Sequence, residues 1–141
     1  MTTRWTVVGL GKLGLPIAIA LNRAGALHSC WTRSEARAGV AQEQLTVPVQ
    51  HGSLPSGTML GDVVALAVPD DRMSRIAAAL APGAGKSTMW VHFSGAKPAA
   101  ALAGLGPAAS LHPLCAMTGT AQDLGRLRGA FCAVDGVEPA L

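Results

Sequence analysis

The 141 residues are enough for one domain of ordinary size with a respectable core, and a single domain is expected. Half of them are hydrophobic and 13% are charged, which excludes a disordered polyelectrolyte and suggests an apolar face that something else covers. The net charge of +3 is modest, the basic residues are scattered, and three Trp and two Phe are too few for the stacking platforms of a nucleic-acid binder.

The chain opens with an apolar run from Arg4 to Val8 that breaks into Gly9-Leu10-Gly11-Lys12-Leu13-Gly14 and then into Leu15-Pro16-Ile17-Ala18-Ile19-Ala20-Leu21. This predicts strand, glycine turn and helix, the helix ending between Asn22 and Gly25 with a C-terminal glycine. In a dinucleotide site each glycine of G-x-G-x-x-G has a task. Gly9 permits the tight turn, Gly11 lets backbone approach a pyrophosphate, and Gly14 lets the helix pack closely on the strand. The phosphates would meet the unpaired N–H groups and positive dipole end of the helix, where Pro16 costs little. From Met1 to Ser34 there is no Asp or Glu, while Arg4, Lys12, Arg23 and Arg33 lie there, so that end favours an anion.

A second apolar run, Ala26 to Trp31, predicts the next strand, and Glu35-Ala36-Arg37-Ala38 reads as helix. In such a β-α-β unit an acid at the tip of the second strand marks NAD by accepting from the ribose hydroxyls. Here the tip is Thr32-Arg33-Ser34, two hydroxyls and a guanidinium, with Arg37 one helical turn beyond Arg33. That donor set suits a 2'-phosphate and makes NADP the expected cofactor; the plainer use of Ser34 or Thr32 is as a helix cap.

Gln42 to Gly61 is rich in Pro, Gly, Ser and His, with a brief strand expected over Leu45–Val49 and His51 read as a solvated loop residue. Asp62 to Val68 is nearly all apolar, as strands buried on both faces are, and it stops at Pro69-Asp70-Asp71. A helix follows from Arg72 to Leu80. Val68, Pro69 and Asp70 are expected to border the cofactor, while the main role expected of Asp70 is to cap that helix. Pro82 to Thr88 ends in G-K-S, but Leu80 stands at the first glycine position of a phosphate loop, and a helix precedes it and a strand follows, so that motif is rejected.

Thr88 to Phe93 predicts a strand ending in Ser94-Gly95-Ala96-Lys97-Pro98; an alanine-rich helix to about Leu102 and a strand over Ala109 to Leu114 follow. Ser94 and His112 stand where apolar runs break, which in an open parallel sheet is where ligands bind, and they are the candidate catalytic pair. A histidine there can donate to a substrate oxygen or shuttle a proton; the plainer alternatives are a helix cap and a hydrogen-bonded loop residue. His92, inside its run, is expected to be a satisfied core residue. His112-x-x-Cys115 is too sparse for a metal, and no metal site is expected. Cys30, Cys115 and Cys132 are odd in number with no C-x-x-C, which fits a reducing compartment and makes cytoplasm the expected location. The nucleotide motif occupies the place of a secretory signal, and no run has the length to span a bilayer. Gly129 to Val134 predicts a last short strand, and Asp135 to Leu141 a linker or helix start.

Val7 to Leu21, Val64 to Asp70, S-G-A-K-P and L-H-P-L together resemble the NADP-binding domain of the superfamily that holds 6-phosphogluconate dehydrogenase, pyrroline-5-carboxylate reductase and prephenate dehydrogenase. The pattern V-H-x-S-G-A followed by S-L-H-P-L is similar to that of uncharacterised Rossmann-like proteins assigned as oxidoreductases. The resemblance implies hydride transfer between NADP and a carbonyl, hydroxyl or imine of a small-molecule substrate, with the nicotinamide near Val68 to Asp70, Ser94 and Gly95. It also implies a mostly helical second domain that completes the substrate pocket and a homodimer, a domain expected to begin where this sequence ends. The expected fold is α/β, a doubly wound, mostly parallel twisted sheet of six or more strands with right-handed crossovers. The expected function is the NADP-binding domain of an oxidoreductase; the other reading is a standalone dinucleotide-binding or sensing module without turnover.

Overall fold

The computed structural model describes residues 2–55 and 59–137. The strands are β1 (Trp5–Val8), β2 (Leu27–Thr32), β3 (Val49–His51), β4 (Val63–Leu66), β5 (Met89–His92), β6 (Ala108–Pro113) and β7 (Cys132–Val137). The α-helices are α1 (Gly14–Arg23), α2 (Glu35–Gln42), α3 (Asp70–Leu80) and α4 (Asp123–Leu127). One sheet takes all seven strands in the order β3-β2-β1-β4-β5-β6-β7, parallel except for β7, which runs antiparallel to β6. Strand order therefore reverses beside β1, between β2 and β4, and in open α/β sheets that reversal opens a crevice at the strands' carboxyl ends.

Successive strand residues send side chains to opposite faces, and both faces are apolar. Val7, Ala65, Val91 and Ala109 meet Leu15, Ala18 and Ile19 of α1 on one side. On the other, Val8, Val64, Trp90 and Ala108 meet Met73, Ala77 and Leu80, which recur every three or four residues along α3. α1 comes close because of its glycines. A methyl at Gly14 would lie 1.8 Å from the Gly9 carbonyl oxygen, and Gly9 has φ +96°, the left-handed region that favours glycine.

Four expectations shift. Pro48 lacks an N–H for a ladder, so the strand expected over Leu45–Val49 forms instead at Val49–His51, against Cys30, Trp31 and Thr32 of β2; His51 is thereby exposed at a strand end. The alanine-rich segment forms a 3-10 helix, Ala99–Leu105, where Gly104, Gly106 and Pro107 leave little length for an α-helix. The last strand extends to Val137, so Asp135 is a strand residue paired across from Ser110. Residues 138–141, where a linker or helix start was expected, lie outside the described residues. The sequence reading also missed α4. Its Asp123, wholly buried, accepts hydrogen bonds from the backbone N–H groups of Thr118, Gly119 and Thr120 and from the Thr118 hydroxyl, at 2.8 to 3.3 Å. Burial alone would raise this carboxyl's pKa; the hydrogen bonds outweigh it and hold the group below the ordinary carboxylate value.

Candidate functional site

A cavity of about 710 Å³ opens at the carboxyl ends of β1, β2 and β4. Gly9, Leu10, Gly11 and Lys12 form its floor, Thr32, Arg33 and Ser34 of the β2 tip with Arg37 of α2 one flank, and Ala67, Val68 and Pro69 the other. A methyl built on Gly11 would meet only the Arg37 guanidinium, at 3.4 Å, so this position faces the cavity and not the core. Among the described residues four cations, Lys12, Arg33, Arg37 and Arg72, line the cavity and no carboxylate does. The site therefore carries a concentrated positive potential beside the N-terminus of α1.

Ser34 is both a lining residue and a cap: its Oγ accepts from the Arg37 backbone N–H at 3.3 Å, while Thr32 is almost wholly buried. Capping uses a lone pair of the Ser34 oxygen and leaves its O–H free to donate.

A smaller cavity of about 170 Å³ adjoins through Ala67 and Val68, and Leu13, Asp70, Met73, Phe93 and Ser94 help to line it. Asp70 does not cap α3, whose N-terminus has no side-chain cap. Its carboxylate instead accepts from the Ser94 hydroxyl at 2.8 Å, because the β5 end brings that hydroxyl within reach from outside the helix. Ser94 Oγ in turn accepts from the backbone N–H groups of Ala96 and Lys97, both at 3.1 Å, and so caps the turn after β5. The buried ring of His92 holds that turn from below: Nδ1 accepts from the Ser94 N–H at 3.1 Å and Nε2 donates to the Pro98 carbonyl at 3.0 Å. It is the satisfied core histidine that its position in the strand predicts.

His112 lies at the end of β6 with Nδ1 3.0 Å from the Phe93 carbonyl oxygen, which fixes the proton on Nδ1 and leaves Nε2 as the free atom of the neutral ring. A methyl at Gly95 would fall 2.8 Å from Nε2, so the glycine is what lets the turn lie against the imidazole. Ser94, Gly95, Lys97, Ser110, His112 and Asp135 line a third cavity of about 160 Å³.

A family profile described as the Rossmann-like domain matches residues 3–116. The chain belongs to the Rossmann-like family. Among curated proteins none matches this sequence. Solved structures share the Rossmann-like fold at low identity. A Bacteroides fragilis protein proposed to be an NADP oxidoreductase has a TM-score of 0.80 at 14% identity, over 98% of this chain and 53% of its own. Synechocystis arogenate dehydrogenase has a TM-score of 0.76 at 19% identity, over 98% and 51% respectively. An imine reductase from Pseudomonas sp. gives 0.74 at 16% identity, over 99% and 48%. This chain thus spans about half the length of these structures.

The Rossmann-like fold gathers ten of the residues expected at a cofactor around the 710 Å³ cavity: Gly9, Leu10, Gly11, Lys12, Thr32, Arg33, Ser34, Arg37, Val68 and Pro69. It sets Leu13 and Asp70 beside the adjoining cavity, Ser94 beside that one and the third, and Gly95 and His112 beside the third alone. Gly14 lines none of these cavities; its place is in helix packing. Sequence reasoning missed Trp31, Ala67, Arg72 and Ile76 as lining residues. Arg72 carried a usable signal, since it lies in the first turn after a buried strand's carboxyl end. Trp31 gave none, because an aromatic residue ending a strand reads equally well as core. Among the described residues no helix is long and apolar enough to cross a membrane.

Proposed function

We propose that this chain is the NADP-binding domain of an oxidoreductase that moves hydride between NADP and a carbonyl, hydroxyl or imine of a small-molecule substrate. The observation that carries this reading is the lining of the 710 Å³ cavity, in which a glycine turn before a helix N-terminus is ringed, among the described residues, by four cations and no carboxylate. The cradle fits a dinucleotide: Gly11 has space on its cavity side, and the close Gly9–Gly14 contact brings the helix end to the turn. At the β2 tip Thr32, Arg33 and Ser34 supply donors where an NAD site has an acceptor, which supports NADP. Once bound, the nicotinamide supplies or accepts the hydride.

The remaining work belongs to the chain's own residues. Leu13, Val68, Met73 and Phe93 give the adjoining cavity an apolar wall that excludes water, and Asp70 and Ser94 fix its polar end. His112 presents Nε2 from the end of β6 as the proton-exchanging atom. A facing wall, from a helical domain or a second copy, completes the substrate pocket; the double length of the similar structures and the dehydrogenase and imine reductase names among them support this.

The test is calorimetric titration with NADPH and NADH, followed by NADPH oxidation assays against a panel of imines, aldehydes and keto acids. Tighter binding of NADPH, by about tenfold or more, is expected from one charge-assisted phosphate contact. Equal affinity refutes the NADP assignment, and no binding of either refutes the dinucleotide site itself.

A further inference from the structure

The first turn of α3 carries a cation that the sequence pattern did not assign to any site. Arg72 lines the 710 Å³ cavity on the flank opposite the β2 tip, and it is half-buried. No hydrogen bond or ion pair involves its guanidinium among the described residues, although Arg4 and Arg126 pair with Asp62 and Asp123 elsewhere. The nearest acids in sequence do not serve it: Asp70 is engaged by Ser94, and Asp71 is exposed. A partly desolvated guanidinium without a counter-charge is costly, and a bound anion removes that cost.

The distribution of charge says which anion. Lys12 and Arg37 stand at the glycine turn, Arg37 within 3.4 Å of where a Gly11 methyl would be, and they suffice for a pyrophosphate with one charge on each phosphate. That leaves Arg33 and Arg72, one on each flank, and a phosphate monoester with about two negative charges balances them. Between the flanks Trp31, Val68 and Ile76 supply apolar surface.

We propose that Arg72 is a specificity-determining residue, closing with Arg33 a two-sided clamp on the 2'-phosphate of the dinucleotide. The inference rests on the NADP reading above, and it adds a contact from α3 that the β2 tip does not supply.

The experiment is titration calorimetry of the parent, Arg72→Ala, Arg72→Lys and, as a control, Arg75→Ala, an exposed arginine on the same helix. The probes are NADPH, NADH, 2',5'-ADP and 5'-AMP, with circular dichroism confirming that each variant is folded. Arg72→Ala is expected to weaken NADPH and 2',5'-ADP by about 10- to 100-fold while leaving NADH and AMP within about twofold. Arg72→Lys should recover part of the loss, since it keeps the charge without the planar fork. Arg75→Ala should change nothing. Equal weakening of all four probes would place Arg72 on the adenine or the shared phosphates and overturn the clamp, and unchanged binding would show a solvated arginine. A parent that prefers NADPH while Arg72→Ala keeps that preference overturns this inference alone; a parent indifferent between NADPH and NADH overturns it together with the NADP reading.

Discussion

Gly11 and Gly14 belong to one motif, yet the structure gives them opposite sensitivities, and replacing each in turn separates binding from folding. At Gly14 an added methyl would sit 1.8 Å from the Gly9 carbonyl oxygen and 3.0 Å from the Ala67 side chain, both fixed parts of the turn and sheet. Relieving that contact requires α1 to move by more than an ångström. Overpacking of this kind costs about 1–3 kcal/mol or more, against which alanine's better helix propensity returns up to about 1 kcal/mol. Gly14→Ala should therefore lower Tm by several degrees, at roughly 3–6 °C per kcal/mol for a chain of this size. At Gly11 the added group meets only a flexible arginine tip at 3.4 Å, and φ there is not in the left-handed region, so Gly11→Val should melt within a few degrees of the parent. Its cost falls on the ligand. Losing one or two backbone N–H contacts to a phosphate, each worth about 1.5–3 kcal/mol, weakens NADPH and NADH alike by roughly 10- to 10⁴-fold. Thermal melts by circular dichroism and titrations with both dinucleotides read the two effects. A Gly11→Val protein that binds like the parent, or a Gly14→Ala protein that melts like it, would refute the assignment of roles.

Ser94→Ala strands the Asp70 carboxylate and leaves the Ala96 and Lys97 N–H groups without their acceptor, and a lost cap of this kind should cost about 1 kcal/mol, read as a drop in Tm of a few degrees. Asp123 has a folded pKa below its unfolded value, so its stabilisation is complete above about pH 4 and fades as pH falls through the folded pKa. Asp123→Asn should accordingly lie well below the parent in stability at pH 7 and converge on it in acid; a gap that stays constant on acidification would contradict that linkage. Burial pushes the Cys30 thiol up to about 12, whereas Cys132 is exposed, so a disulfide reagent at pH 8 should label Cys132 readily and Cys30 only on unfolding, as mass spectrometry of digests would show.

The parts of this molecule legible from sequence are those where one residue type has one structural use. Glycines at positions 9, 11 and 14 between a β-branched run and an alanine-rich run admit few other conformations, and all-apolar Val63–Leu66 demands cover on both faces. The β2 tip was legible for the same reason, since the residue after a strand is placed by the strand. What escaped depends on partners remote in sequence. Asp70 sits where a cap is expected, yet the hydroxyl it binds lies 24 residues away on another strand end. α4 has only five residues and owes its form to the buried carboxylate that gathers the preceding turn, a tertiary effect that no helical periodicity announces. β7 was placed too early because its register is set by pairing with β6, Cys132 opposite Pro113 through Val137 opposite Ala108.

The hydrogen bonds at the ends of β5 and β6 also narrow which side-chain atom the proposed function would have exchange a proton. The Ser94 hydroxyl has a single proton, committed to Asp70, and its oxygen is occupied by two backbone donors, so it acts where it stands as a brace between α3 and the turn. His92 spends both ring nitrogens on the same turn and is wholly buried. His112 spends one, on the Phe93 carbonyl, and thereby gains a fixed tautomer with Nε2 beside Gly95. Two histidines twenty residues apart on neighbouring strands thus differ in which ring nitrogens the backbone has already taken, and only His112 keeps the one that the proposed function would use. Gly95 belongs with His112, because any side chain there would push the turn off the imidazole and with it the Ser94–Asp70 brace that shapes the adjoining cavity.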